Sequence, residues 1–401
     1  MAGGLSKVPL LIVFLLTAVY ALCTTRGLTI EERVARFSKG AGNPNLLLMV
    51  WIFVLAGAFA ASAKAMGAIE AIVNLTLTAM PEQMLLAGLF LAACFVSVSV
   101  GTSVGTIVAL VPVATGLADR TGMELALVVA AVVGGSFFGD NLSFISDTTV
   151  AATRSQGCDL RDKFRVNILL VLPAALLTFA IYLFMGSGTT GTVPAGDVAW
   201  IKVVPYIAVL AAAICGMNVL VVLLLGCVLT GAVGLLTGAY DFAGWLLSMS
   251  SGIVSMGELI VVSMLAGGLL ELVKYNGGIV FLIHRLTRRV RTKRGAELSI
   301  AALVSLTNLC TANNTVAILS VGRLANDISD KYGVDKRKSA SLLDTFSCCV
   351  QGLIPYGAQL LIAGGLASLN PTAIIGYLFY PVLVGIVVLT AVLLRYPRRF
   401  S

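Results

Sequence analysis

Long, almost uncharged apolar runs recur along this chain, and they leave it few ways to fold. Roughly 17–25 apolar residues in a helix cross the hydrocarbon core of a bilayer. Runs of this kind lie at 8–23, 45–63, 166–185, 200–215, 219–237, 253–273 and 372–394. Four longer stretches, 85–118, 123–149, 298–322 and 339–363, carry polar interruptions near their centres. Charged residues make up 11% of the chain, where an ordinary soluble domain has about 25%. Inside lipid every backbone polar group needs an internal partner, so spanning segments are helices or strands of a closed barrel. A barrel would show alternating segments of about ten residues, and these runs do not alternate. The sequence therefore reads as an all-α polytopic membrane protein.

The net charge of +8 sits in short loops, so it speaks for membrane topology and not for a nucleic-acid partner. The 284–294 loop is the most basic, with Arg285, Arg288, Arg289, Arg291, Lys293 and Arg294. With the basic tail at 395–399 it is expected in the cytoplasm, placing the C-terminus there and the chain in the cytoplasmic (inner) membrane. It would also touch anionic lipid. The eight cysteines form no CxxC pair, and most lie inside apolar runs, as packing residues do. The one histidine, His284, lies in the basic loop, which argues against a histidine metal site or proton relay. The run at 8–23 has little charge before it and no clear cleavage site, so it reads as a retained helix preceding a charged linker at 26–39.

Against this background Gly134–Thr149, GGSFFGDNLSFISDTT, stands out. It puts Asp140 and Asp147 inside an apolar run, beside Asn141, Ser143, Ser146 and Thr148. Ionisable residues at membrane depth are costly and mark ion or substrate paths. A hard cation such as Na⁺ takes oxygen ligands, and Asp140, Ser146, Asp147 and Thr148 offer carboxylate and hydroxyl oxygens. Glycines 134, 135 and 139 would loosen the helix, and an unwound segment adds backbone carbonyls. An ionised carboxylate binds Na⁺ and a neutral one carries a proton, so one group can exchange the two. The plainer reading of Asp147 is a helix cap.

Two further polar centres would sit at hairpin tips: Thr102, Ser103 and Thr106 in one, Asn313, Asn314 and Thr315 in the other. Small polar residues there can complete a cation shell, bind a solute or hydrogen-bond between helices. Asp344, Gln351, Tyr356 and Gln359 mark a second broken helix. Asp344 is either a second titrating site or a buried partner for a lysine or helix end. Glu258 and Glu271 rank lower, near the interface, and Lys64 and Lys274 read as snorkelling side chains.

A weak internal repeat joins these features. Ala56-Gly57, Lys64 and Gly67 fall on Ala266-Gly267, Lys274 and Gly277. Asp119, Gly122 and Glu124 fall on Asp330, Gly333 and Asp335, while Ser136, Asp140 and Leu142 fall on Ser347, Gln351 and Leu353. Loop charges agree only if 85–118 and 298–322 enter and leave by the same face, from opposite sides. That predicts inverted repeats with re-entrant hairpins and broken transmembrane helices, a secondary-transporter arrangement. The expected organisation is an N-terminal helix and linker (1–44), repeat one (45–187), connecting helices (188–250) and repeat two (251–401).

GDNLSFISDTTVAATRSQGCD, at 139–159, resembles the signature of NhaC-type Na⁺/H⁺ antiporters. SVGTSVGT resembles their upstream Gly-Thr-Ser-aromatic-Gly-Thr motif, with Val104 at the aromatic position. SLLDTFSCCVQGLIPYGA resembles their C-terminal acidic segment before an Ile-Pro-aromatic turn. The resemblance implies a transporter with a scaffold and a mobile transport domain, working as a homodimer with elevator-like motion. It implies Asp140, Asn141, Ser143, Ser146, Asp147 and Thr148 as ion-path residues and Asp344 as a second acidic site. TANNTVA at 311–317 departs from the acidic segment such proteins carry there, as does Gly357-Ala358-Gln359 after the turn.

The expected function is Na⁺/H⁺ antiport, with Na⁺ and H⁺ as transported ions and no cofactor. The alternative is Na⁺- or H⁺-coupled transport of a small organic or amino acid, bound by Asn313, Asn314, Gln351 and Gln359. No helix has the continuous polar face a channel needs, and no nucleophile–histidine pair suggests an enzyme.

Overall fold

The computed structural model describes residues 10–143, 146–186, 196–287 and 292–397. Arg288, Arg289 and Arg291 of the basic loop, residues 187–195 of the 186–198 loop, and Arg398 and Arg399 lie outside these residues, as does the His284 side chain. Among the described residues the chain forms twenty helices and no strand. Seven helical segments are long and apolar enough to cross a membrane. The chain is an all-α polytopic membrane protein.

Element boundaries repeat along the chain. Helices α5 (Glu82–Val100) and α6 (Ser103–Thr121) return 211 residues later as α15 (Lys293–Thr311) and α16 (Asn314–Tyr332). The short α8 (Asp147–Gln156) returns at the same spacing as α18 (Ala358–Ala367). Helix α7 (Leu125–Leu142) begins 211 residues before α17 (Lys336–Gln351), and α9 (Leu160–Gly186) corresponds to α19 (Pro371–Ile375) with α20 (Phe379–Leu394). The recurrence reaches outward: α1 (Leu10–Thr24), α2 (Ile30–Ala41), α3 (Pro44–Met66) and α4 (Ala68–Ala79) precede α5. In the same order α11 (Val219–Leu236), α12 (Phe242–Ser255), α13 (Gly257–Tyr275) and α14 (Gly278–Thr287) precede α15. Helix α10 (Trp200–Ile214) stands between the two sets.

The contacts repeat as well as the boundaries. Ser97 donates its hydroxyl to the Ser136 carbonyl (2.6 Å), and 211 residues on Asn308 donates to the Ser347 carbonyl (2.7 Å). Each bond ties a hairpin's first helix to the broken helix beside it. Gly139 makes the first approach possible, because a Cβ there would collide with Ser97. Farther out, α2 crosses α13 at Gly40 and Gly267, while α3 crosses α12 at Gly57 and Gly252. At both crossings a Cβ on either glycine would run into backbone of the other helix. Without a hydrophobic drive between helices in lipid, such backbone-to-backbone packing supplies much of their adhesion.

Three segments expected as linkers are in part helical. The 26–39 linker contains α2, started by a capping box in which Thr29 and Glu32 exchange side-chain and backbone bonds. The connector after Lys64 contains α4, which buries Ile69, Val73 and Asn74 and is not a free interfacial segment. The charged stretch 154–165 is only a short turn, Gly157 to Asp159, between α8 and α9. Lys163 therefore lies inside a helix.

The α7–α8 segment is the innermost, with 83% of its most apolar window buried, against 33% for α9 and 28% for α12–α13. The segment built around GGSFFGDNLSFISDTT is thus the centre about which the other helices pack.

Candidate ion-binding site

Four chain breaks meet at the centre. Hairpin α5–α6 turns at Gly101-Thr102, and hairpin α15–α16 at Ala312-Asn313. Helix α7 gives way to α8 between Ser143 and Ser146, and α17 to α18 between Gly352 and Gly357. Both hairpin turns place one residue in the left-handed region, Gly101 (φ 74°) and Ala312 (φ 50°). Glycine accepts this freely and alanine does not. The Gln351 amide helps hold Ala312 there by donating to its carbonyl (3.0 Å).

Between the breaks lies a cavity of about 120 Å³. It is lined by Thr102 and Ser103 from one tip, Asn313, Asn314 and Thr315 from the other, Asp140, Ser146, Asp147 and Thr148 from the first break, and Gln351 and Gln359 from the second. Eleven of the residues expected from sequence thus come together in one place. The N-termini of α6, α8, α16 and α18 all reach it, and so do residues at the C-terminal ends of α7 and α17. Helix N-termini favour negative charge and helix C-termini favour positive charge. Such a site can hold a carboxylate and still present carbonyl and hydroxyl oxygens to a cation.

Asp140 is buried, 4% exposed. Its Oδ1 accepts the backbone N–H of Ser103 (3.0 Å), the first residue of α6. Its carbonyl accepts from the hydroxyls of Thr148 and Thr149 (both 3.3 Å), which bends the chain back over the break. Ser146 and Thr148 hydroxyls share a bond (2.9 Å). Asp147 also lines the cavity, but it is exposed and opens α8 as the residue after the N-cap, Ser146. The two aspartates therefore differ in kind: one is sealed between helix ends and the other sits at the rim. Across the cavity Gln359 donates to Ser103 Oγ (3.0 Å), and Gln351 donates to Gln359 Oε1 (2.9 Å). This chain of amides links the second break to the first hairpin. Asn313 caps α16 by accepting from the Val316 N–H (3.0 Å), and Asn314 faces Cys348 Sγ (3.8 Å).

Four expected residues lie elsewhere. Thr106 is one turn inside α6 and donates to the Thr102 carbonyl (3.1 Å). Ser143 ends α7, its N–H bonded to Gly139 (2.7 Å). Asn141 donates to the Tyr380 hydroxyl (3.0 Å), on the side of α7 away from the cavity. Asp344, fully buried, does not line the cavity and pairs with Lys163 (2.7 Å). Asn167 joins them, donating to both Asp344 Oδ2 (2.9 Å) and the Asn141 carbonyl (2.8 Å). The Lys163 ammonium, 1% exposed, also reaches the Asn141 carbonyl (2.9 Å) and Thr149 Oγ1 (2.5 Å). A lysine thus supplies the positive charge that carbonyls freed at the end of α7 call for.

Lys163 and Asn167 were not singled out in the sequence. Their signal was the i, i+4 spacing, which places a charge and an amide on one face where a run of charges turns apolar.

The sequence can be set beside those of known proteins. The sequence profile of the Na⁺/H⁺ antiporter family matches residues 10–187 and 190–397. The chain belongs to the Na⁺/H⁺ antiporter family. It is 29% identical over 296 residues to the Na⁺/H⁺ antiporter NhaC of Alkalihalophilus pseudofirmus, covering 64% of this chain and 62% of that protein. It is 24% identical over 370 residues to NhaC of Bacillus subtilis, covering 82% and 79%. A malate-2H⁺/Na⁺-lactate antiporter of Bacillus subtilis is 22% identical over 367 residues, covering 82% and 77%. The family is one of transporters, and the multi-pass helical fold agrees with it.

Proposed function

We propose that this family member exchanges Na⁺ for H⁺ across the membrane, and that the two ions compete for Asp140. The observation that carries the proposal is a buried carboxylate at the meeting point of two hairpin tips and two helix breaks. Ser146 and Thr148 stand beside it with hydroxyl oxygens, and Asp147 guards the rim. Na⁺ takes such oxygens readily. When the cation leaves, a proton neutralises the same carboxylate and spares the cost of a bare buried charge. The repeated contacts support two inverted repeats, here α1–α9 and α11–α20, whose relative movement would expose Asp140 to each side in turn. On loop charge the protein belongs in the cytoplasmic membrane with its C-terminus inside.

The test is proton flux in proteoliposomes that hold only this protein. An imposed Na⁺ gradient should move protons without any organic solute, and Asp140→Asn should abolish the movement. No Na⁺-driven flux from folded protein would sink the proposal.

A second reading has one observation in its favour. The amide residues Gln351, Gln359 and Asn314 line the same cavity as the carboxylate, and the malate/lactate relative moves organic acids by its name. On that reading Na⁺-driven uptake of a labelled acid would be lost on Gln359→Ala.

A further inference from the structure

A second cavity adjoins the first. It has a volume of about 130 Å³ and shares Met49 and Asn313 with the Asp140 cavity. Its walls are α2, α3, α13 and the tip of the α15–α16 hairpin, with Tyr356 also lining it. Two charged side chains line it, Glu271 and Lys274, one helical turn apart on α13. Glu271 is part-buried against Gly40, where the α2–α13 crossing is tightest, and Lys274 is exposed. Neither makes an ion pair with a described residue. An unpaired carboxylate in a part-buried cavity projects its field into that cavity, because low-dielectric walls focus it.

A counterpart cavity, about 310 Å³, lies beside the Gly57–Gly252 crossing and is lined by Lys64, the repeat equivalent of Lys274. It shares no lining residue with the Asp140 cavity. Its place corresponding to Glu271 is taken by Ala61, and the carboxylate it does hold, Asp119, comes from α6. The Asp140 cavity therefore adjoins the cavity beside α13, across Met49 and Asn313, and shares no wall with the Lys64 cavity.

We propose that the α13 cavity is the cation vestibule of the Asp140 site, with Glu271 drawing Na⁺ in and Lys274 opposing it. The pair sets the effective Na⁺ concentration at the hairpin tip, where the Thr311 and Asn313 oxygens stand before the inner cavity. The inference rests on the antiport reading, and its failure can be told from the failure of that reading. Recruitment changes how much Na⁺ half-saturates exchange, not what happens at Asp140.

The measurement is Na⁺-dependent proton flux in proteoliposomes of the full chain, as a function of Na⁺ at low and high ionic strength. Glu271→Gln should raise the half-saturating Na⁺ concentration about 3- to 10-fold at low salt, keep the plateau rate, and lose most of the effect in choline chloride. Lys274→Gln should shift it the other way, and Glu271→Asp should restore the parent value. Opposite shifts exclude general damage to folding. Half-saturation unchanged in both neutral variants, with Asp140→Asn inactive, would overturn the vestibule and leave antiport standing. Exchange unaffected by Asp140→Asn would overturn the function on which it rests.

Discussion

Removing Lys163 should damage this protein more than removing both Lys163 and its partner. The ammonium and Asp344 are 1% and 0% exposed and 2.7 Å apart. Lys163→Met strands Asp344 as a buried charge with only neutral donors, the Asn167 amide and the Thr148 hydroxyl, close by. Breaking a buried pair from one side costs about 3–5 kcal/mol, whereas removing both charges is often close to neutral. The same change takes a donor from Thr149 Oγ1 and one of two donors from the Asn141 carbonyl. The upper half of that range is therefore expected. Adding Asp344→Asn should recover about 2–3 kcal/mol, a coupling in the range found for residues in one network. The assay is denaturant unfolding in mixed micelles for the parent, both single variants and the double. Additive losses would refute the argument, since they would mean the two charges do not compensate each other. A single variant as stable as the parent would refute it too. Because Lys163 also holds the carbonyl one residue past Asp140, the double variant should keep its fold yet need more Na⁺ for half-maximal exchange.

Two further expectations come from the backbone and the loops. Ala312→Gly should stabilise the protein by about 0.5–1 kcal/mol and Gly101→Ala should cost about 1 kcal/mol, because both positions have positive φ; changes of the same sign in unfolding would disprove the equivalence of the two tips. Asp335 caps α17 from the loop: its burial raises the carboxyl's pKa, but the Arg337 guanidinium and the N–H groups of Arg337 and Lys338 outweigh that and leave it below the usual value. A lowered folded pKa gives stability that is present above about pH 4, the unfolded value, and is lost as pH falls through the folded one. Asp335→Ala should therefore differ from the parent at pH 7 and converge with it in acid.

The sequence showed the helical class, the broken segments and most of the cavity, for a physical reason. Polar residues are rare enough in apolar runs that each one marks a place where the helix must open or find a partner. Asp140, Ser146, Thr148, Asn314 and Gln359 were legible in this way. What could not be read was direction. Asn141 and Asp140 are adjacent, yet one faces Tyr380 and the other the cavity, because neighbouring helical residues point about 100° apart. Asp344 could be read as a second titrating site or as a lysine's buried partner, and the sequence gives no sign that the lysine is Lys163, brought by α9 across 181 positions. The outer reach of the repeat was hidden as well: α2 is charged where its counterpart α12 is apolar, and the helix order and the two glycine crossings reveal that they hold equivalent places.

The repeat also explains why the inner cavity carries one sealed carboxylate and not two. Position 351 stands where 140 stands in the other half, at the end of the broken helix, yet it is glutamine. Asp140 accepts from the N–H that begins α6. Gln351 instead donates to the carbonyl of Ala312, at the close of α15. A carboxylate at 351 would face that carbonyl oxygen with no proton to offer, and would add a second buried negative charge beside Asp140. An amide satisfies the carbonyl and keeps an oxygen, Gln351 Oε1, that no described side chain or backbone group engages. Asp344 is meanwhile balanced by Lys163. Among the described residues the centre is left with one buried uncompensated negative charge, on Asp140, while Asp147 stays exposed at the rim. On the proposed reading that is the charge one Na⁺ or one H⁺ neutralises, so each can take the other's place without leaving the buried site charged.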